Sequence, residues 1–234
     1  MGAPLLSSEE WTVLILSAKV AAACTAGLAI PGIFFGWLLS RTDFRGKAVT
    51  DAVLHAPLVM PPVVTGYLLL VLLGRRGILG EWLFNHLGIT LAFTWKAAAL
   101  ASAVMALPLM VRSVRLAMEL VDRRLEVAAR TLGAGPIRTF ATVTLPLSFP
   151  GVLTGLVLTF ARSLGEFGAT IVFAGNIQGE TRTLPLAIYS YLQVPRGEAA
   201  ALRLVVISII LSLGALVLSE WFSRRARAFH GLPL

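Results

Sequence analysis

Hydrophobic side chains run through this sequence in five long stretches, which polar and charged segments separate. An α-helix needs about 20 residues to cross the ~30 Å hydrocarbon core of a bilayer, and each stretch is long enough to do so. The stretches lie near residues 11–40, 50–73, 93–117, 149–173 and 202–222. The pattern therefore predicts an all-α membrane protein with about five transmembrane helices.

Local signals predict where these helices start and bend. Ser7 and Glu10 have the spacing of a capping box, which predicts that the first helix starts near Ser8. Prolines inside the first two stretches predict kinks or unwound turns, because each removes a backbone hydrogen bond that neighbouring helices can replace in a membrane. These prolines are Pro31, Pro57, Pro61 and Pro62.

Composition supports a membrane protein and excludes several other classes. Of the 234 residues 57% are hydrophobic and 14% are charged, and the mean hydropathy is +0.83. The net charge of +8 does not indicate a nucleic-acid partner, because the basic residues fall in short clusters between apolar stretches and form no recognition motif. Cys24 is the single cysteine, so an intrachain disulfide is excluded, and the three histidines show no metal-ligand spacing.

The basic residues predict the orientation in the membrane. They fall into two sets of alternate loops, with twelve in one set and six in the other. The larger set comprises Arg41, Arg45, Lys47, Arg112, Arg115, Arg123, Arg124, Arg130, Arg138, Arg224, Arg225 and Arg227. The smaller set comprises Arg75, Arg76, Lys96, Arg182, Arg196 and Arg203. Because cytoplasmic loops carry the excess of Lys and Arg, we expect the N-terminus outside and the C-terminus in the cytoplasm.

The longest predicted cytoplasmic segment, residues 118–150, separates the third and fourth stretches. Its apolar residues follow a helical period that Gly133, Gly135 and Pro136 interrupt, and the period resumes at Ile137 and Phe140. The segment is therefore predicted to form two short helices joined by a glycine turn. An apolar edge exposed by such a hairpin is typical of a docking surface.

The sequence of this hairpin, "VAARTLGAGPIRTFATVTLP", resembles the EAA loop of ABC-importer permeases. That loop reads Glu-Ala-Ala, three residues, Gly, nine residues, Ile, one residue, Leu-Pro. Ala128 and Ala129 match the alanines, Gly133 follows at the correct distance, and Leu145 and Pro146 close the pattern. Two positions depart from it: Val127 stands in place of the glutamate, with Glu126 just before it, and Val143 replaces isoleucine.

The resemblance implies that the hairpin is a coupling helix, which seats in a groove of an ATP-hydrolysing subunit. It assigns the docking turn to Gly133, Ala134, Gly135 and Pro136. The full set that it assigns to coupling is Glu126, Ala128, Ala129, Gly133, Ala134, Gly135, Pro136, Arg138, Leu145 and Pro146. The segment "FRGKAVTD" lacks the earlier glycine and the following Ser/Thr of a phosphate-binding loop. We therefore expect no catalytic residue and no cofactor in this chain, with ATP and magnesium on a separate subunit.

The fourth stretch carries charge at bilayer depth, in "TFARSLGEFGATIVFAGN". On one continuous helix its polar side chains fall on a single stripe, which comprises Thr159, Arg162, Ser163, Glu166 and Thr170. One interpretation places this stripe along a translocation path at a dimer axis, where the hydroxyls and Arg162 meet an oxyanion. In the other, Arg162 and Glu166 neutralise each other and fix helix packing. The sequence leaves both open.

The same stretch, followed by "GETRTLPLAIYSYL", is similar to the molybdate permease subunits and more distantly to the sulfate/thiosulfate permeases, which share Gly-Glu-Phe-Gly. The segment "PLVMPPVVTGYLLLVLLGRRGILG", residues 57–80, strengthens the molybdate resemblance. It implies one permease domain over residues 1–234, with the type I importer fold, in the cell inner membrane. Its implied partners are membrane lipid, a second copy, two ATPase subunits and an extracytoplasmic protein that binds molybdate or tungstate and docks on residues 74–92 and 174–202.

Three alternatives remain at this point. A sulfate/thiosulfate permease shares the fold and differs in its anion. An ion-driven secondary transporter is disfavoured, because the chain lacks two internally repeated halves with paired broken helices. A membrane enzyme lacks support, since no nucleophile–base pair or metal cluster is present in the sequence.

Overall fold

The fold is described from a computed structural model, which covers residues 6–229. This part of the chain is built from helices α1 to α11 and a π-helical segment that joins α7 to α8. The helices are α1 (Ser8–Arg41), α2 (Lys47–Val59), α3 (Pro62–Leu73), α4 (Ile78–Leu87), α5 (Trp95–Glu119), α6 (Arg123–Thr131), α7 (Pro136–Thr139), α8 (Leu145–Leu164), α9 (Gly168–Phe173), α10 (Leu184–Tyr191) and α11 (Glu198–Phe229). The all-α prediction is confirmed for these residues.

Within the described part, four helical stretches are long and apolar enough to span a membrane. They are Ser8–Arg41, Trp95–Glu119, Pro136–Leu164 and Glu198–Phe222. Helices α2 and α3 form a fifth candidate if they count as one span, and they are bent by 113° where they meet. The predicted number of about five spans agrees with this arrangement.

The bend between α2 and α3 follows from adjacent prolines. Met60 has an extended backbone with ψ 142°, as is usual before a proline, and it ends α2. Pro62 then occupies the first turn of α3, where a missing N–H costs nothing. The prolines that lie further inside helices do not interrupt them, since α1 continues through Pro31 and α2 through Pro57.

The capping box at the start of α1 forms as predicted. The Ser7 Oγ accepts a hydrogen bond from the Glu10 N–H at 3.2 Å, and the Glu10 carboxylate accepts one from the Ser7 N–H at 2.6 Å. Glu10 is fully buried, and its carboxylate also lies 2.8 Å from Nη2 of Arg203 on α11. The start of the first span is thereby tied to the start of the last one.

Helix α5 is the centre of the bundle and packs against both α1 and α8. Small residues allow this close packing, because they let helix backbones approach each other. A Cβ added at Gly36 of α1 would lie 2.6 Å from Val114 Cγ1, and one at Gly155 of α8 would lie 2.9 Å from the Met110 sulfur. Met110 and Val114 of α5 are both fully buried as a result.

The fourth predicted span differs from the structure at both ends. The helix begins at Pro136 and ends at Leu164, rather than covering residues 149–173. The second helix of the predicted hairpin is therefore not separate, because it runs on into the span. At residues Phe140–Thr144 the Leu145 N–H bonds to the Phe140 carbonyl, which is a π-type turn. This wider turn accommodates Pro146, whose ring would clash with a carbonyl of a regular α-helix.

Candidate functional site

The hairpin that the charge pattern predicts on the cytoplasmic side turns at a glycine. Helix α6 starts with the Asp122 side chain accepting a hydrogen bond from the Arg124 N–H at 2.9 Å. It ends at Thr131, and two residues later Gly133 has a φ of +87°, in the left-handed region that favours glycine. A Cβ at Gly133 would meet nothing within 4 Å, so the requirement for glycine is conformational rather than steric. The predicted glycine turn between two helices is confirmed.

The tip of this hairpin is apolar and exposed. Leu132 is 89% exposed and Ile137 is 84% exposed, on either side of the turn. Gly133, Gly135 and Pro136 are also exposed between them. We call residues 132–137 the cytoplasmic turn, after the side of the membrane on which the charge pattern predicts it. Large apolar side chains that are exposed next to each other are typical of a surface that binds a partner protein.

Glu126 lies behind the cytoplasmic turn and faces the inside of the subunit. Its carboxylate lies 3.0 Å from Nε of Arg41, and both side chains are almost fully buried. The Thr144 hydroxyl donates a hydrogen bond of 2.6 Å to the same carboxylate oxygen. Arg41 also donates to the Val121 carbonyl at 3.0 Å. Glu126 therefore fastens α6 to the end of α1 and to the π segment, which fixes the position of the turn.

The other residues that the EAA resemblance assigns to coupling divide into two groups. Ala128 and Arg138 are exposed beside the cytoplasmic turn, and Pro146 is exposed at the start of α8. Ala129 and Ala134 are half-buried, and Leu145 packs against the buried cluster around Met110 and Val114. The structure thus places the matched residues on one outer surface and on its inner support.

The second site is a break in the fourth span. Helix α8 ends at Leu164, and Gly165 to Phe167 turn the chain before α9 begins. The prediction of one continuous helical stripe is therefore wrong, because Glu166 and Thr170 lie beyond the helix that carries Arg162. No proline marks the break. Gly165 and Gly168 flank Glu166 there, but glycine is also common inside transmembrane helices, so the residues at this point do not distinguish a break from a continuous helix.

Arg162 and Glu166 meet across this break. Arg162 Nη1 lies 2.8 Å from Glu166 Oε2, while Glu166 Oε1 accepts a hydrogen bond from the Ala169 N–H at 2.9 Å. The Glu166 side chain is 2% exposed, but that of Arg162 is 31% exposed. Glu166 thus binds the first turn of α9 with one oxygen and positions the guanidinium with the other. Arg162 keeps one side open to its surroundings.

Two neighbouring helices hold the break in place. A Cβ at Gly168 would lie 2.7 Å from Pro62 Cβ, and one at Gly66 would lie 2.6 Å from the Ala169 carbonyl oxygen. Helix α9 therefore rests directly on α3. The ring of Phe167 packs on that of Tyr189 in α10, with centroids 5.3 Å apart.

The hydroxyls of the predicted stripe lie inside the subunit. Thr159, Ser163 and Thr170 are 0%, 5% and 1% exposed. The hydroxyl oxygens of Thr159 and Thr170 make no hydrogen bond within residues 6–229, while the Ser163 hydroxyl lies beside the Cys24 thiol. The structure therefore brings Arg162 and Glu166 together at a partly open position and places the three hydroxyls in the packed layers next to it.

The α3–α9 contact gives a testable prediction. Gly66→Ala should destabilise the protein by about 1–3 kcal/mol, because the new methyl group overlaps a backbone carbonyl that cannot move aside alone. Thermal unfolding in detergent measures this loss. Gly27→Ala is the matched control: Gly27 lies inside α1 with nothing within 4 Å of its Cβ position, so alanine should be neutral or stabilising there. Equal melting temperatures for the two variants would contradict the close packing.

Charged residues lie in the two segments, 74–92 and 174–202, on which the resemblance predicts that a binding protein docks. Arg182 lies 3.3 Å from the Glu9 carboxylate and donates to Asn176, so its charge is used within the chain. A groove of about 300 Å³ beside α4 is different, since it has both signs of charge on its lining. Its lining residues are Arg75, Arg76, Glu81, Phe84 and Asn85.

Comparison with known proteins decides the family. Residues 32–228 match the family described as "Binding-protein-dependent transport system inner membrane component". The chain belongs to this family. The permease is 57% identical over 227 residues to the molybdenum transport system permease protein ModB of Escherichia coli K12, with 97% of this chain and 99% of the relative covered. It is 54% identical over 216 residues to ModB of Haemophilus influenzae, covering 92% and 94% of the two chains.

A sulfate transporter is a more distant relative of the permease. The sulfate transport system permease protein CysT of Escherichia coli is 36% identical over 218 residues, with 92% of this chain and 77% of the relative covered. The predicted resemblance to both groups is confirmed, and it is stronger for the molybdenum permeases.

Solved structures confirm the predicted fold. The inward-facing MetNI methionine ABC transporter matches with a TM-score of 0.68 at 19% identity, covering 94% of this chain and 99% of that one. A bacterial ABC transporter that imports alginate matches with a TM-score of 0.67 at 13% identity, covering 95% and 80%. The permease therefore has the type I ABC importer fold and is an inner-membrane component.

Proposed function

We propose that the permease forms the translocation path of an ATP-driven importer for molybdate. The observation that carries this proposal is the 57% identity, over nearly the whole of both chains, to a molybdenum transport permease. Identity to the sulfate permease falls to 36%, which makes sulfate the second candidate. We include tungstate among the substrates because it is a tetrahedral oxyanion with the charge and nearly the size of molybdate, whereas sulfate has the same charge and shape but is smaller.

The proposed complex contains two copies of this chain, two ATPase subunits and an extracytoplasmic molybdate-binding protein. The cytoplasmic turn is the observation that supports an ATPase partner. Leu132 and Ile137 are exposed at its tip, and Glu126 holds this tip in place through its ion pair with Arg41. ATP and magnesium bind to that partner. ATP binding and hydrolysis there drive the permease between inward- and outward-facing arrangements. The binding protein docks on the outer side, where the mixed charges of the groove beside α4 suit a charged surface patch.

The proposed orientation places the N-terminus outside and the C-terminus in the cytoplasm. It is supported by the twelve basic residues on the predicted inner loops against six on the outer ones. In this orientation the cytoplasmic turn faces the ATPase, and the capping box at Ser7 marks the outer end of α1.

We place the path along the side of α8 on which Arg162 is partly exposed. The ion pair with Glu166 partly neutralises Arg162 and so weakens its attraction for an anion. Weak attraction suits a transport site, because strong binding would trap the substrate. Thr159 and Thr170 carry hydroxyls without hydrogen-bond partners, and together with Ser163 they can donate to an anion when these helices separate. Most of the discrimination between anions then belongs to the binding protein.

Uptake into vesicles tests the proposal. The permease, its ATPase and its binding protein are reconstituted, and labelled molybdate is added with an excess of unlabelled tungstate or sulfate. We expect ATP-dependent uptake that tungstate suppresses and sulfate does not. Suppression by sulfate to the same extent would move the assignment to the second candidate.

A deletion of Gly133 to Pro136 is the control for ATP coupling. An importer driven by an ATPase should lose ATP-dependent uptake in this variant, while an ion-driven carrier would keep its transport. Uptake that needs no ATP in the unmodified complex would overturn the proposal.

A further inference from the structure

Tyr189 of α10 lies next to the break that follows α8. Its ring packs against the ring of Phe167, with the centroids 5.3 Å apart and the ring planes at 58°. Phe167 directly follows Glu166, whose carboxylate lies 2.8 Å from the Arg162 guanidinium. Two consecutive residues of the turn therefore hold two polar groups: Glu166 holds the guanidinium of Arg162, and Phe167 holds the phenol of Tyr189.

Both groups are accessible at this turn. Tyr189 is 45% exposed, the Arg162 side chain is 31% exposed, and Gly165 at the start of the turn is exposed as well. Among the described residues, none makes a hydrogen bond with the Tyr189 hydroxyl. Tyr191 on the same helix differs, because its hydroxyl lies beside the Glu9 carboxylate. Tyr189 thus offers an unused donor close to a partly exposed cation.

A phenol has suitable chemistry for a transported oxyanion. Its O–H group donates one hydrogen bond, and hydrogen bonds to a charged acceptor are stronger than those between neutral groups. The phenol itself carries no charge, so it can orient the anion beside Arg162 without trapping it. The contact with Phe167 limits the movement of the Tyr189 ring, which positions the hydroxyl before an anion arrives.

We propose that the Tyr189 hydroxyl donates a hydrogen bond to the transported oxyanion when Arg162 attracts it, and that Phe167 positions Tyr189 for this contact. The inference rests on the proposed function, since it adds a second donor to the same path. The anion then lies between a guanidinium on α8 and a phenol on α10. Movement of the turn at residues 165–167 would separate these two groups and release the anion.

Uptake and ATP hydrolysis, measured together in vesicles that hold the full complex, test the proposal with Tyr189→Phe, which removes only the hydroxyl. We expect the maximal rate of uptake of labelled molybdate to fall roughly tenfold, as for the loss of one hydrogen bond to a charged group. The half-saturating concentration should not change, because the binding protein sets it. ATP hydrolysis stimulated by the loaded binding protein should also stay the same, so fewer anions move per ATP.

Two further variants make the test specific. Tyr191→Phe is the matched control, because it removes a hydroxyl from the same helix that already lies beside Glu9, and uptake per ATP should not change. Phe167→Leu keeps an apolar side chain but removes the aromatic contact that positions Tyr189. It should lower uptake per ATP, and its combination with Tyr189→Phe should be no slower than Tyr189→Phe alone, because both act through the same hydroxyl.

Three outcomes would overturn the proposal. Unchanged uptake per ATP in Tyr189→Phe would make Tyr189 an ordinary aromatic residue of the membrane interface. A parallel loss of uptake and of stimulated ATP hydrolysis would instead make Tyr189 a contact of the binding protein, since α10 lies in the segment predicted to meet it. An equal loss in Tyr191→Phe would show that the effect belongs to α10 as a whole.

The choice of anion separates this inference from the proposed substrate. The same variants are compared with labelled sulfate, which is also a tetrahedral dianion. If the unmodified complex transported sulfate and not molybdate, the substrate assignment would fail, while a tenfold loss of sulfate uptake in Tyr189→Phe would still support the role of Tyr189. If the unmodified complex transported neither anion, both proposals would be overturned.

Discussion

Replacing Glu126 by alanine is expected to lower the free energy of unfolding by about 3–5 kcal/mol, because it leaves the Arg41 guanidinium buried without a counter-charge. The change also removes the acceptor of the Thr144 hydroxyl. Thermal or denaturant unfolding in detergent measures the loss. ATP-dependent uptake should fall as well, since α6 is no longer fastened to α1.

Two variants control for the removal of a charge. Arg41→Met combined with Glu126→Leu replaces both ions with apolar groups and should recover most of the stability. Glu119→Ala breaks the more exposed pair between Glu119 and Arg115, and it should cost less than about 1 kcal/mol. If the double variant were as unstable as Glu126→Ala, the ion pair would not explain the loss.

Leu132→Asp should weaken binding of the ATPase subunit by at least about 2 kcal/mol, or roughly thirtyfold in Kd. Leu132 is 89% exposed on the cytoplasmic turn, so the protein itself should fold as before. Binding of the ATPase weakens because the new aspartate would bring a carboxylate into an apolar interface, where it loses its hydration without gaining a hydrogen-bond partner. Titration of the purified ATPase against the permease in nanodiscs measures the affinity, and vesicle uptake measures the consequence.

Ile78→Asp is the matched control, since Ile78 is 82% exposed at the start of α4, in a segment predicted on the opposite side of the membrane. It should leave ATPase binding unchanged. If Leu132→Asp bound the ATPase as tightly as the unmodified protein, the cytoplasmic turn would not be the docking surface.

Features encoded by residues near each other in sequence were predicted well. The capping box of Ser7 and Glu10 fixed the first residue of α1, and the adjacent Pro61 and Pro62 predicted the sharp bend between α2 and α3. The same holds for the turn at Gly133, where a local glycine requirement coincides with a family pattern. Each of these depends on a few neighbouring backbone groups, so tertiary contacts do not override it.

Features that depend on distant contacts were not predictable. Nothing near Glu126 in the sequence indicates Arg41, which is 85 positions earlier, and yet this pair decides which way Glu126 faces. The break after Leu164 has the same origin: Glu166 leaves the helix to bind the α9 N-terminus, while Gly168 packs against Pro62 of another helix. A periodic pattern does not show such a break, because Arg162 and Glu166 have the spacing of one helical turn and fit a continuous helix equally well.

The unbroken helical stretch from Pro136 to Leu164 has a mechanical consequence. Pro136 lies on the cytoplasmic turn and Arg162 lies at the charged break, and 26 residues of helix separate them by about 39 Å. A helix is stiff along its axis, so an axial push of a few ångströms at the turn is delivered at the break almost undiminished. This helical stretch therefore couples a displacement of the cytoplasmic turn to the position of Arg162. The π-type turn at Phe140–Thr144 is the place along it where the helix can bend.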